Sequence, residues 1–491
     1  MESMGDQGNG RTRRDALKVL GVGALAGVVV ASAQASDAQA IGETGNLQAL
    51  RQLTPNAGVV YVNGHTVSGV GDGFFRWSPA SMEQDNDGTV VRPTAVQESM
   101  AGRWLRILAN SDAIDPTWFG CLLDGESDST VPMQAAFDAA AIAKRKIRIP
   151  QGKIRVSQPL FLYGNPCIEG DSPQSSEIIF SNNAGLRFYD AIVSEFSMNQ
   201  QFEMRHVGLR CSDVRNSGYV LDLRFIGGAG TTAQSVVLED VEVTGVEGNC
   251  GFTRAINLFN ARNIKIRGCR ISSNASLENW SGISGIYIDG DSQPVEFYIT
   301  DCNFYHVDAG IYVHGRGAGQ GIEGIYISQC SFVSCNYGVF AMSPVIHPLI
   351  KVTGSQFNCF NANIFAYNFV HLMICDNVFY AAGPRLQHDH VCVNIGSNQA
   401  GEGYTSIIAN NVMLGSNFVG APKNGVVISG SANFNVLVTS NYICGYDTPI
   451  WLGAGTIGVT VTATNQLQGN YNNCVQDDGV QNHVSLQKCG L

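Results

Sequence analysis

The stretch Ile325-x-Ile327-x-x-Cys330-x-Phe332 sets a pattern of two apolar positions, a small or polar position, then another apolar one. The pattern recurs at Phe202-Met204-Val207-Leu209, Val236-Leu238-Val241-Val243, Ile264-Ile266-Cys269-Ile271 and Phe297-Ile299-Cys302-Phe304. It continues through Ile350-Val352-Ser355-Phe357, Leu372-Ile374-Asn377-Phe379, Ile408-Asn411-Met413 (Ser406 standing at its first position) and Val436-Val438-Asn441-Ile443. First positions lie 22 to 34 residues apart. A second pattern follows many copies: a small or turn residue, then apolar-x-apolar, as at Gly285, Gly310, Gly338, Asn363, Gly425 and Pro449. Two or three short strands per repeat, with uneven loops, predict an all-β, single-stranded parallel β-helix. Neither the 3.6-residue period of a helical solenoid nor the regular hairpin turns of a sandwich are present. Lys146 to Leu467 would make roughly eleven coils, a rod about 50 Å long.

Stacked coils set the small-or-polar positions above one another: Val207, Val241, Cys269, Cys302, Cys330, Ser355, Asn377, Asn411, Asn441. Small thiols bury readily, and a column of asparagines can satisfy its own amides. Cys269, Cys302 and Cys330 are therefore expected as a core stack rather than as disulfides or metal ligands. Their spacing matches no Cys-x2-Cys zinc pattern. A pairing among Cys444, Cys474 and Cys489 stays open.

Composition fits this reading. Of the 491 residues, 44% are apolar and only 14% charged, and there are 56 glycines. The formal net charge of −11 argues against a nucleic-acid partner. At the N-terminus, Arg13-Arg14 precede an apolar run from Val19 to Ala31 and small-residue cleavage sites near Ala35 and Ala40. The run is short for a bilayer span. Residues 1–40 resemble a twin-arginine export signal; a basic-tailed anchor is the alternative. The mature protein is expected to be periplasmic or secreted, with no membrane segment.

Residues 41–115 read as a small β-rich module of Gly-Asp turns and short strands. The period then changes. Val131 to Ala143 forms an amphipathic helix with Met133, Ala136, Phe137 and Ala140 on one face, capped by Ser129 or Thr130. Such a helix can cover the open edge of a stacked-coil rod. The β-helix is assigned to 116–470 and a C-terminal tail to 471–491.

Phe119-Gly120, Asp124-Gly125, Asp128-Ser129-Thr130, Gln134-Ala135-Ala136 and Ile147-Arg148-Ile149-Pro150-Gln151-Gly152 resemble the opening segment of the pectate-lyase-like superfamily. The resemblance spans about forty residues and departs in the Cys121–Thr130 loop and in having one proline before Gly152. It implies a right-handed β-helix. It also implies one of several activities: polysaccharide hydrolase, polysaccharide lyase, uronate epimerase or phage tailspike depolymerase. The preceding module resembles the small domain ahead of the β-helix in tailspike-like proteins, which implies a homotrimer. The opening motif is structural in that family and carries over no catalytic residue.

Chemistry on such a rod must come from exposed side chains. Glycan hydrolysis needs two carboxylates about 5–9.5 Å apart, and a rung is about 4.8 Å. The densest candidate joins Asp289 and Asp291 at one strand end with Asp308, His314 and Arg316 on the next coil. Asp289 and Asp291 are the candidate acid and nucleophile or base, and His314 is an alternative base. By register, Asp289 and His314 lie one rung apart. Arg316, Glu323, Tyr287 and Tyr312 are the substrate-binding candidates, with Arg316 for an anionic sugar. The alternative is that acids at strand ends are solvated turn residues. Glu239, Asp240 and Glu242 with Arg267 and Arg270 read as cross-strand charge pairs. Tyr287, Tyr312, Phe340, Phe365 and Trp451 form an outward aromatic stripe suited to sugar rings or to a neighbouring subunit. His388, Asp389 and His390 lack a third ligand and read as a surface loop, so no metal or cofactor is expected.

The leading reading is an exported enzyme that cleaves a polysaccharide, hydrolase ahead of lyase. A tailspike-like depolymerase and a non-catalytic glycan-binding β-helix are the competitors.

Overall fold

The computed structural model describes residues 42–485, apart from 56–57, 110–111, 190–200, 214–217, 226–234, 275–280, 293, 382–388, 400–404, 416–422, 432–433 and 470–473. The expected export signal lies outside these residues. Among the described residues, no helix is long and apolar enough to cross a membrane.

From Ile147 onward the chain winds into parallel coils. One face is a thirteen-stranded sheet running from Ile147–Arg148 to His483–Val484. Each coil crosses this sheet, turns a corner, lays down a short strand such as Asn303–Tyr305, then a longer one such as Ala309–Gln320. The short and long strands each pair with their counterparts on neighbouring coils, all parallel. Nine of the thirteen strands are the nine copies of the sequence pattern. The other four, at 147–148, 167–169, 460–461 and 483–484, do not carry the pattern in register. The coils therefore outnumber the eleven expected. Val475–Asp477 pairs with Thr448–Leu452, and His483–Val484 with Thr460–Val461. These pairings carry regular coils into the segment expected as a tail.

The corner explains the pattern. The residue before each small-or-polar position has a left-handed backbone: His206, Asp240, Gly268, Asp301, Gln329, Gly354, Asp376, Asn410 and Ser440 all have φ between 49° and 64°. That turn swings the next side chain inward. All nine positions from Val207 to Asn441 are buried. Cys269, Cys302 and Cys330 are free thiols in one column. Their Sγ atoms sit against carbonyl oxygens of the preceding coil: Leu238, Ile266 and Ile299, at 3.8, 3.7 and 3.6 Å. Below them the amides take over. Asn411 Oδ1 accepts from the Asn377 N–H and Nδ2, at 3.0 and 3.1 Å, while Asn411 Nδ2 donates to the Ile374 carbonyl at 2.8 Å. Asn441 repeats this for Asn411, and Asn465, not reached by the pattern, repeats it for Asn441. A second interior column stacks Phe304, Phe332, Phe357 and Phe379 with ring centroids 4.5–4.9 Å apart. At the C-terminal end, Cys444 is free and Cys474 is disulfide-bonded; Cys489 lies outside the described residues.

The helix spans Thr130–Ala143 and buries Met133, Ala136, Phe137, Ala139 and Ala140 in the same core as the first coils. Ser129 is its N-cap residue, but its hydroxyl accepts from Leu122 N–H instead; Asp128 Oδ1 takes the Thr130 N–H. The front module is a five-stranded sheet. Its first strand, Gly42–Thr44, pairs parallel with Val59–Val62, and the remaining pairs are antiparallel. Leu47, Leu50, Val60, Val62, Phe75, Val91 and Trp104 make its own core. Arg106 joins the two units: its guanidinium lies 4.6 Å from the Phe75 ring and 4.8 Å from that of Trp118.

Replacing Asn411 with Leu strands two buried donors of Asn377, and is expected to cost about 2–5 kcal/mol. Cys302→Ala removes one packed atom and a weak donor, and is expected to cost about 1 kcal/mol. Urea unfolding midpoints check the order; equal losses would contradict the amide ladder.

Candidate functional site

The long strands of successive coils form a sheet whose outward face carries two columns. Register fixes the first as Asp222, Asn257, Tyr287, Tyr312, Phe340, Phe365, Asn394, Val427 and Trp451. The second, two residues further on, reads Arg224, Phe259, Asp289, His314, Met342 and Tyr367. Asp289 and His314 are register partners, as the repeat predicts.

Asp289 lies in Ser284–Ser292, which is buried on its inner face by Ile286 and Ile288. The residue is only 5% exposed and its carboxylate accepts three hydrogen bonds. Arg316 donates to it through Nε and Nη2, both at 2.7 Å, and the Gly290 N–H donates at 2.7 Å. His314 Nδ1 stands 3.6 Å from Oδ1, without a hydrogen-bond partner of its own. Burial opposes ionisation of Asp289. The Arg316 guanidinium, His314 and the Gly290 N–H outweigh it and hold the carboxyl below its usual range. Hydrogen bonding to Asp289 in turn raises Arg316. This stabilisation is present above the ordinary carboxylate pKa and is lost as pH falls through the lowered one.

The structure brings Tyr287, Asp289, His314 and Arg316 together. The Tyr287 and Tyr312 rings stack at 5.0 Å, and His314 lies 6.1 Å from the first. Asp291 is exposed beside them, with Oδ1 accepting from Asn260 Nδ2 at 2.9 Å. Asp308 does not join. It sits at the opposite end of the strand from His314, six residues or about 20 Å away. There it accepts from the Gly282 N–H and from Asn336 Nδ2, at 2.8 and 2.7 Å. Glu323 belongs to another face: it opens Glu323–Ser328 of the thirteen-stranded sheet, opposite Val295. Arg316 is not a free anion receptor, because Asp289 takes two of its donors.

The aromatic stripe is continuous from Tyr287 through Tyr312 and Phe340 to Phe365, with centroids 4.8–5.0 Å apart. Asn394 and Val427 separate it from Trp451, whose Nε1 donates to Asp478. Glu239 and Glu242 are ion-paired to Arg205 and Arg210 of the preceding coil, so that cluster is structural. His390, read as part of a surface loop, is buried. It precedes Val391–Ser397 with inward alternation and stacks 6.0 Å from Tyr446. Asp389 is exposed, and His388 lies outside the described residues. Among the described residues no cluster of three or more His, Cys, Asp or Glu could hold a metal ion.

Pattern reading missed a set of arginines interleaved with rings. Arg254 lies 3.3 Å above Tyr287 and 5.0 Å from Tyr219. Arg224 lies 5.8 Å from Tyr219 and 5.4 Å from Tyr189, and Arg316 lies 5.2 Å from Phe259. All are within cation–π range. Asp222, nearly inaccessible, accepts from Tyr189 Oη, Arg224 Nε and Asn257 Nδ2. Counting back one and two rungs from Tyr287 and Asp289 would have found Asn257, Asp222, Phe259 and Arg224.

Comparison with known proteins agrees with the coil geometry. Pre-mature gene product 12 of bacteriophage phi29 superposes with a TM-score of 0.52 at 14% identity, over 76% of this chain and 55% of that one. The fold is a parallel β-helix. This β-helix also matches the enzymatically active domain of bacteriophage CBA120 tailspike protein 2, with a TM-score of 0.44, 15% identity, 93% of this chain and 64% of that one. A family 28 exopolygalacturonase of Yersinia enterocolitica matches at 0.49 and 11%, over 80% of this chain and 81% of that one. The chain thus spans less than two thirds of the two phage proteins. Residues 43–109 match the family described as the phage tail protein small four-stranded β-sheet domain. No curated protein matches the sequence.

Arg316→Gln removes the main opposition to burial, so the Asp289 pKa is expected to rise above its depressed value. Carboxyl carbon chemical shifts followed through an acid titration check this; an unchanged Asp289 titration would mean that the pair does not form in solution.

Proposed function

We propose that this β-helix binds a polysaccharide along the outward face from Tyr287 to Phe365 and cleaves it at the Asp289–His314 pair. The observation that carries this is the placement of an ionised, fully hydrogen-bonded carboxylate 3.6 Å from an imidazole nitrogen, beside a stacked aromatic face. Asp289 is held ionised, which suits it to steadying a positive charge on His314 rather than to donating a proton. The proton-transfer role falls to His314, whose side chain is 43% exposed. Asp291, exposed on the same strand, supplies the second carboxylate for hydrolysis.

Elimination at a uronate is the second chemical reading, and the arginine–ring ladder favours it. Among the described residues Arg254 donates to Asn257 and Tyr219 and to no carboxylate, so its charge is available to an acidic sugar. The phage-tail match at 43–109 favours a tailspike-like setting, with a bacterial surface glycan as substrate and a homotrimer as the assembly. The paired arginines at the N-terminus favour export instead, to the periplasm or the medium. Both settings place the enzyme where it meets extracellular glycan.

His314→Gln and Asp289→Asn are expected to lower kcat/KM by about 100-fold or more on whichever glycan of a plant, algal and capsular panel is cleaved. Wild-type turnover by both variants would remove the site. New reducing ends alone identify hydrolysis; ultraviolet-absorbing unsaturated ends identify elimination. Arg254→Gln is expected to raise KM about tenfold on an acidic glycan and to leave a neutral one unaffected.

A further inference from the structure

Arg316 reaches Asp289 because its strand bulges. Between Gly290 and Ser292 one strand holds a single residue, Asp291; between their partners Gly315 and Gln320 the next holds residues 316–319. The coil after that repeats the arrangement. Met342 and His347 enclose residues 343–346, while their partners Tyr367 and Phe369 enclose only Asn368. His347 closes this second bulge, and its ring lies against the first.

The imidazole is 1% exposed. It fits because glycines stand at 315, where the first bulge opens, and at 321, just past Gln320 where it closes. A Cβ on Gly315 would overlap Nε2 and the Ser343 hydroxyl, and one on Gly321 would overlap Nδ1. Nδ1 accepts the Ile322 N–H at 2.9 Å, which fixes the tautomer with the proton on Nε2. Nε2 has no partner among the described residues. The Phe369 ring lies 5.4 Å away. The ring is thus surrounded by Gly315, Gly321, Ile322, Ser343 and Phe369, none of them charged. Titratable residues flank its contacts on the packed strands: His314 and Arg316 on either side of Gly315, and Glu323 next to Ile322.

We propose that His347 is a positioning residue: its neutral imidazole pins residues 315–322 and so presents Arg316 to Asp289. A ring nitrogen accepts only while unprotonated, so the pin works above the imidazole pKa and fails below it. Burial lowers His347 from its ordinary value to about 4. The sign follows: the released segment takes up a proton below about pH 6.5, the pinned one only near pH 4. Between these limits pinning weakens about tenfold per pH unit.

The inference uses the site described above but no reaction, so its test reads the segment directly. Hydrogen–deuterium exchange of the 316–322 amides, corrected for the intrinsic pH dependence of exchange, is followed from pH 7 to pH 4.5. In the wild type, protection is expected to fall roughly 100-fold below pH 6.5. His347→Gln keeps an acceptor for the Ile322 N–H but cannot titrate, so its protection should stay flat. His347→Phe fills the space without an acceptor and should lose protection at every pH, while amides 357–370 stay protected if the rod is intact. A flat wild-type profile, or a glutamine variant that tracks the wild type, overturns the proposal. Should the phenylalanine variant unfold, the wild-type and glutamine profiles still decide it. An inactive protein with the expected exchange would sink the glycan-cleavage reading and leave the pin standing.

Discussion

The rod depends on how each coil turns its corner. A left-handed residue followed by an inward side chain lets the chain leave one sheet and start the next within two residues. The cost is that backbone groups at the corner leave the regular ladder inside a dry core, where an unpaired group costs about 1–3 kcal/mol. The amide half answers this completely: Asn377, Asn411, Asn441 and Asn465 accept from the coil above and donate to the carbonyl of the preceding coil. The thiols answer it in part. Cys302 and Cys330 aim Sγ at the same class of carbonyl that Asn377 Nδ2 reaches, Ile266 and Ile299 against Val352. A cysteine is therefore a smaller, weaker donor in the asparagine's place, and Ser355 marks the change of chemistry. Its hydroxyl accepts from Cys330 N–H while its own N–H donates to Asn377.

This corner also explains how far the sequence could be read. Its side chain is chosen by size and polarity, so the column from Val207 to Asn441 was legible residue by residue. The spacing fixed register, and register fixed Asp289 opposite His314. The coil through Thr460–Val461 was invisible because Asn465 follows Val461 by four residues, where Asn441 follows Val438 by three, and the spacing breaks. The site was only half legible for a related reason. Asp308 stands just before the strand that carries His314, and nearness in sequence disguised a separation of about 20 Å along an extended chain. Glu323 follows a bulge whose length could be counted but whose exit direction could not. Arg316 was visible as a cation near the acids. Its commitment to Asp289 depends on three extra residues folding back, which no periodicity encodes.

The outward face shows a different economy of charge. In a chain of net charge −11, this face concentrates Arg224, Arg254 and Arg316, each with its guanidinium carbon within 5.4 Å of a ring centre. A guanidinium over a ring can still donate through its planar fork of N–H groups, which a packed lysine would not match. Two of the three are matched by Asp222 and Asp289; both carboxylates are almost inaccessible.

That matching constrains what Asp289 can do. A buried carboxylate left alone would hold its proton and could serve as an acid. Here two guanidinium donors and a backbone N–H reverse the balance, and the acid becomes a fixed negative charge beside His314. The reversal requires Arg316 to be in place, and Arg316 is in place only because its bulge is closed by glycines around a buried ring. The chemistry of the outer face thus depends on packing one strand further along, where Gly315 and Gly321 leave room for His347. A side chain at either glycine would fill that space first, and the charge on Asp289 would lose its main support without any change to the residues that surround it.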